Sequence, residues 1–153
     1  MTVTMEQVRA FLDPEEPDYQ QAAQLGPEAL PHLEELVGET DALLASKATY
    51  TASLIEDPHS ADILKRAAAS DRAEVRAAAA GGARNVSASA ASDVLEPLLT
   101  DRDVSVRKVA LKSVPEEAPS ELQATVQSLS EADSNPAIRE LSSQVANRLG
   151  RSD

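Results

Sequence analysis

Residues 100–114 read TDRDVSVRKVALKSV, and the centre of that stretch, SVRKVAL at Ser105–Leu111, has two looser copies. EVRAAAA at Glu74–Ala80 stands 31 residues before it, and AIRELSS at Ala137–Ser143 stands 32 after it. Recurrence at a near-fixed period of this size marks a repeated supersecondary unit rather than one isolated helix. Counting back 31 from Val75 reaches Leu44, and a further 25 reaches Tyr19. Each of the five anchors (Tyr19, Leu44, Val75, Val106, Ile138) is followed four residues on by a small side chain: Ala23, Ala48, Ala79, Ala110 and Ser142. Seven residues on come Gly26, Thr51, Gly82, Ser113 and Val145. Offsets of four and seven lie on one helical stripe, so each anchor is expected to open the buried face of a helix.

The segment before each anchor repeats too. Val8, Phe11 and Leu12, then Leu33, Leu36 and Val37, then Leu64, Ala67 and Ala68, then Leu95, Leu98 and Leu99 show the i, i+3, i+4 spacing of an amphipathic first helix. The fifth copy, with Val126 and Leu129, is shifted by about one residue. Start signals separate the two helices. Asp71 and Glu74 are spaced as a capping box, Asp103 is an expected N-cap, Asn135-Pro136 reads as N-cap then first helical residue, and Glu16-Pro17-Asp18 precedes Tyr19. Gly26-Pro27, Asp57-Pro58, Ser87–Ser92 and Pro115–Pro119 mark the ends of units. The expectation is one all-α domain over residues 1–150, with five helix-turn-helix units near 4–26, 27–57, 58–88, 89–117 and 118–150, and no strand.

A two-helix repeat of this length whose second helix begins D-x-x-x-V-R-x-x-A resembles the HEAT repeat, in its short phycobilisome-lyase-type form. Asp71 with Val75, Arg76 and Ala79 carries the resemblance, as does Asp101 with Val106, Arg107 and Ala110, and Asp133 with Ile138, Arg139 and Ser142. The first two units depart from it, with Gln20 and Ala45 in the arginine place. The resemblance implies an α-α superhelix, a right-handed solenoid. It also implies that Arg76, Arg107 and Arg139 join acidic turn residues (Asp71, Asp101, Asp103, Asp133) in a ladder between units. Tetratricopeptide repeats need bulky aromatics, and ankyrin repeats a T-P-L-H turn, that are missing here.

Composition narrows the function classes. Only Phe11, Tyr19 and Tyr50 are aromatic, whereas alanine occurs 27 times, which suits closely packed helices. No cysteine is present, which excludes disulfides, thiolate metal sites and a cysteine nucleophile. No run is long and apolar enough for a membrane span or signal peptide, so a cytoplasmic location is expected. His32 and His59 are far apart and lack the converging ligands a metal needs; no His-Glu dipeptide of the kind used by the di-iron HEAT enzymes occurs, and no phosphate loop precedes a helix. No catalytic constellation, cofactor or metal site is expected. The Gly81-Gly82 pair is read as admitting a neighbouring helix.

The formal charge is -12, and only four of the fourteen basic residues are lysines. Such a balance resembles that of cytoplasmic proteins from extreme halophiles, where acidic surfaces maintain solubility in concentrated salt. Its distribution is uneven: residues 1–60 carry -10, residues 61–114 carry +2, and residues 115–153 carry -4. Nine of the fourteen cations thus fall in the third and fourth units. Arg76 and Arg107 belong to the repeat, whereas Arg84, Lys108 and Lys112 do not recur and are the candidate partner-binding residues. The expected function is a non-catalytic scaffold for protein–protein interaction, its partner another protein with an acidic segment. Alternatives are a bilin-lyase-like or other HEAT-type enzyme accessory protein, and nucleic-acid binding through the central basic strip, which the acidic surroundings oppose.

Overall fold

The structure, a computed structural model, describes residues 2–150, and among these it is all helix and turn, with no strand. Ten α-helices follow in order: α1 Met5–Leu12, α2 Tyr19–Ala23, α3 Leu30–Val37, α4 Ala42–Ser53, α5 Pro58–Ala68, α6 Ala73–Gly82, α7 Ala88–Leu98, α8 Val104–Lys112, α9 Ser120–Ala132 and α10 Pro136–Gly150. Short 3-10 turns lead into α3 and out of α6. None of the helices is long and apolar enough to cross a membrane.

Local chemistry sets most helix starts. Thr4 and Gln7 form a reciprocal capping box at α1. Asp18, Asp41, Asp57, Ser87, Asp103 and Asn135 each accept a first-turn amide through the side chain, satisfying donors that a helix leaves unpaired. Pro58 and Pro136 take the first helical position, where a missing N–H costs nothing. The expected capping box at Asp71 is not formed. Arg72 is the N-cap of α6 and makes no side-chain cap, and the Asp71 carboxylate is 95% exposed. Instead Ser70 Oγ accepts the Arg72 amide at 3.2 Å, while the Arg72 guanidinium turns away to the carbonyls of Glu39 (2.6 Å) and Val37 (3.1 Å).

Within each consecutive pair the two helices pack on each other. Contacts also run from α1 to α3, α3 to α5, α5 to α7 and α7 to α9, and from α2 to α4, α4 to α6, α6 to α8 and α8 to α10. The apolar stripes enter this packing: Val8, Leu12, Leu33, Leu36, Leu64, Ala67, Leu95, Leu98 and Leu99 from the first helices, and Val75, Ala79, Val106, Ala110 and Ile138 from the second. Polar members of the stripe are buried because each hydroxyl donates one turn back along its own helix: Thr51 to Lys47 O, Ser113 to Val109 O, and Ser142 to Ile138 O. In the first unit the expected register slips, and in the second it departs only at the anchor, since Ala48 and Thr51 are buried as expected. Tyr19 and Leu44 are only half-buried, while Ala22 and Ala45 go fully inside. For α2 the cause is Asp18, which caps the helix directly before Tyr19 and makes that residue the first of its helix; Val75, Val106 and Ile138 are each the third of theirs.

Of the paired glycines, only Gly82 is required by space. A Cβ there would stand 2.8 Å from Ser53 Cβ and 3.1 Å from Leu64 Cδ2, so α6 approaches α4 and α5 more closely than any side chain allows. At Gly81 a Cβ would meet nothing nearer than Val109 Cγ1 at 3.9 Å, an ordinary contact. Gly82→Ala is therefore expected to lower stability by about 1–3 kcal/mol through overpacking, and Gly81→Ala to raise it by up to about 1 kcal/mol through helix propensity. Urea unfolding of the two variants checks the contrast; equal effects would contradict the close approach.

Candidate partner-binding surface

The motif arginines lie where helix pairs meet. Arg76 on α6 reaches the turn before α8, donating Nε to Asp101 Oδ2 at 2.8 Å and Nη2 to Oδ1 at 3.1 Å, a two-pronged pair with both side chains almost fully buried. Arg107 on α8 repeats the reach to Asp133 before α10: Nη2 donates to Oδ1 at 3.2 Å, and Nε lies 3.0 Å from Oδ2 but out of line, leaving that N–H without a hydrogen bond. The remaining prong of each arginine returns to the backbone six residues earlier: Arg76 to Ser70 O, Arg107 to Asp101 O, Arg139 to Asp133 O. Each aspartate also accepts the amide two residues ahead, from Asp103 and Asn135. Asp101 and Asp133 thus fix the turn with one oxygen while receiving the preceding arginine.

Two sequence expectations are corrected at this point. Asp71 is not part of the ladder; Ser70 occupies the place equivalent to Asp101 and Asp133, five residues before the anchor. Asp103 is a cap, not a rung. The arginine that Ser70 would receive is also missing, since the corresponding residue of α4 is Ala45, and that junction is held by Arg72 instead. Between α1 and α4 the buried Lys47 does comparable work, donating to Leu12 O (3.0 Å) and Pro14 O (2.8 Å), acceptors at and beyond the end of α1. Its signal was present as a lone cation on the apolar stripe Leu44, Ala48, Thr51. His32 tethers the N-terminal segment through Nε2 and Val3 O at 2.9 Å.

Burial acts to raise the pKa of Asp101, but the Arg76 hydrogen bond, the Asp103 amide and the charges of Arg76 and Arg102 outweigh it and hold the carboxyl below its ordinary range. The same hydrogen bond raises Arg76.

The other central cations are also engaged. Lys65 pairs with Asp93 and Arg66 with Glu34, on first helices of neighbouring units, and Arg102 donates to Asp71 O. Arg84 donates Nη2 to Lys112 O at 3.0 Å, and Arg148, which the charge pattern did not single out, donates Nη2 to Val114 O at 2.9 Å. Among the described residues, Lys108 and Lys112, with Arg9 on α1, are the cations left without a hydrogen bond or ion pair. Lys108 and Lys112 are one turn apart on α8 and exposed. They border a groove of about 390 Å³ against α10, floored by Val104, Ala137, Ile138 and Leu141. Val104, 41% exposed, is one of two large apolar side chains left in water among the described residues. Arg84 lies beyond the far end of this groove, joined to it through Lys112. The arrangement offers positive charge beside an apolar floor; among the described residues no group of three or more His, Asp or Glu converges as a metal would need.

A depressed aspartate pKa contributes stability that is present above the unfolded value, about 4, and lost as pH falls through the folded value. Asp101→Asn is expected to cost about 3 kcal/mol at pH 7, because it leaves the buried Arg76 charge unmatched. That deficit should close at acid pH, where Asp101 of the parent chain is itself neutral. Unfolding of both proteins from pH 7 to pH 2 reads the difference; a deficit independent of pH would show that charge is not involved. Compared with known proteins, the chain matches no family model and no curated sequence.

Proposed function

We propose that the chain is a non-catalytic cytoplasmic scaffold for protein–protein interaction, built as a right-handed superhelix of five HEAT-like helix pairs, that docks an acidic segment of another protein on α8 and α10. The succession of contacts from first helix to first helix and second to second supports the array, as does the recurrence of the arginine-to-turn pairs. One observation carries the docking surface. In a centre where seven of the nine cations already have polar partners, Lys108 and Lys112 do not, and they flank an exposed apolar groove. Exposed lysines contribute little affinity singly, about 0–1 kcal/mol each, so Val104, Ala137 and Leu141 supply contact area while the lysines select an acidic partner and hasten encounter. Long polyanions fit poorly, because the flanking regions carry -10 and -4.

The test is affinity capture from the native cytoplasm at its own salt concentration, followed by binding of each recovered protein to variants. Lys108→Glu/Lys112→Glu should weaken the partner about tenfold, whereas Lys65→Glu, on a first helix, should leave it unchanged. Equal binding by the parent and the double variant would remove this surface. A gel shift of duplex or single-stranded probes at low salt, falling steeply with added salt, would favour nucleic acid instead.

A further inference from the structure

Three cations meet at the C-terminal end of α8, and among the described residues none of them pairs with a carboxylate. Arg84 comes from the turn after α6, Arg148 from the last turn of α10, and Lys112 ends α8 itself. The carbonyls of Lys112 and Val114, to which the two arginines donate, lie where a helix leaves unpaired acceptors and partial negative charge. Capping explains why the arginines come here, and it uses one N–H of the five that each guanidinium carries. Among the described residues, no other partner is made by either. Both border, with Lys112, a crevice of about 350 Å³ whose other walls are Leu141, Gln144 and Val145. None of these six side chains is acidic, in a protein of net charge -12. The same three cations also border an adjoining crevice that Glu116 and Glu117 line, but both glutamates are exposed and neither pairs with them.

We infer that this crevice is an oxyanion site that takes a phosphate group of the phosphomonoester class. Guanidinium edges present paired donors that match two oxygens of a tetrahedral anion, and a flanking ammonium adds a point charge. Anchoring both arginines on backbone carbonyls orients them beforehand, which reduces the side-chain entropy lost on binding. Two guanidiniums and an ammonium answer a dianion better than a single carboxylate, which one arginine would serve. The inference goes beyond the docking surface and shares only Lys112 and Leu141 with it. The phosphate can be free in solution or carried by a serine of a docked segment, and both sources present the same chemistry to the crevice.

The test is a titration of the isotope-labelled full chain with sodium phosphate, matched in ionic strength by sodium chloride, observing arginine Nε–H and backbone amide resonances. Saturable shifts confined to Arg84, Arg148 and the end of α8, present with phosphate and not with chloride, are expected. Lys112→Gln, whose parent side chain makes no contact the fold needs, should weaken the binding about tenfold, as should Arg84→Gln. A parallel titration with a phosphoserine peptide distinguishes the sources: tighter binding than free phosphate assigns the site to a modified protein, equal binding to a small phosphate. Shifts that never saturate, that chloride reproduces, or that survive in both variants would overturn the inference. Because Lys108 is outside the crevice, loss of phosphate binding with Lys108-dependent capture intact would leave the docking surface standing.

Discussion

Small side chains constrain everything else in this protein. Leucine and alanine dominate the buried set, and a helix that offers alanine to its neighbour gains from burial only if the two backbones come close. Gly82 marks the limit, where α6 presses against Ser53 and Leu64 with no room for a methyl group. Close approach in turn brings helix ends and connecting turns together. Their carbonyls and amides then lose water and must find partners within the protein.

The polar side chains at the junctions answer that need, and they do so differently along the chain. Lys47 serves the carbonyls at the end of α1, and Arg72 those at the end of α3. From α6 onward the aspartates Asp101 and Asp133 enter, each holding its own turn and receiving the arginine before it. The absence of a rung between α4 and the turn before α6 is symmetrical. Ala45 replaces the arginine and Ser70 the aspartate, so neither charge is buried alone, the condition that costs most.

This substitution of one device for another explains what could be read from sequence. The helix count, the apolar stripes and the caps at Asp103 and Asn135 were legible because spacing and cap chemistry are local. The resemblance implied only that arginines join acidic turn residues; which acid each takes, Asp101 for Arg76 and Asp133 for Arg107, came from the structure. Asp71 misled because an acid three residues before a glutamate satisfies the pattern of a capping box, while the choice of Ser70 depends on where Arg72 finds carbonyls more than thirty residues earlier. The partners of Lys47 and Arg148 were hidden for the same reason: each acts on backbone acceptors from a distant part of the chain, and backbone carbonyls have no sequence signature. Charge arithmetic was coarse in a similar way, since it counted engaged and free cations alike.

Separating those two kinds of cation changes the meaning of the positive centre. Its cations are not equivalent, because Lys65, Arg66, Arg72, Arg76, Arg84, Arg102 and Arg107 each have an acid or a carbonyl to bond. Chemistry sorts the types in this centre: the guanidinium, planar and with several donors, suits turns and helix ends, where two or three acceptors converge, while the ammoniums of Lys108 and Lys112 stay at the surface. Lys108 and Lys112 therefore stand out by lacking a partner in a chain that elsewhere gives almost every cation one. The neighbouring Arg84 and Arg148 are intermediate, held by one carbonyl each and open on the remaining edges. What the sequence presented as a single basic cluster is thus a structural ladder, a pair of helix-end arginines and two unpartnered lysines, and the last two groups carry exposed donors for a ligand.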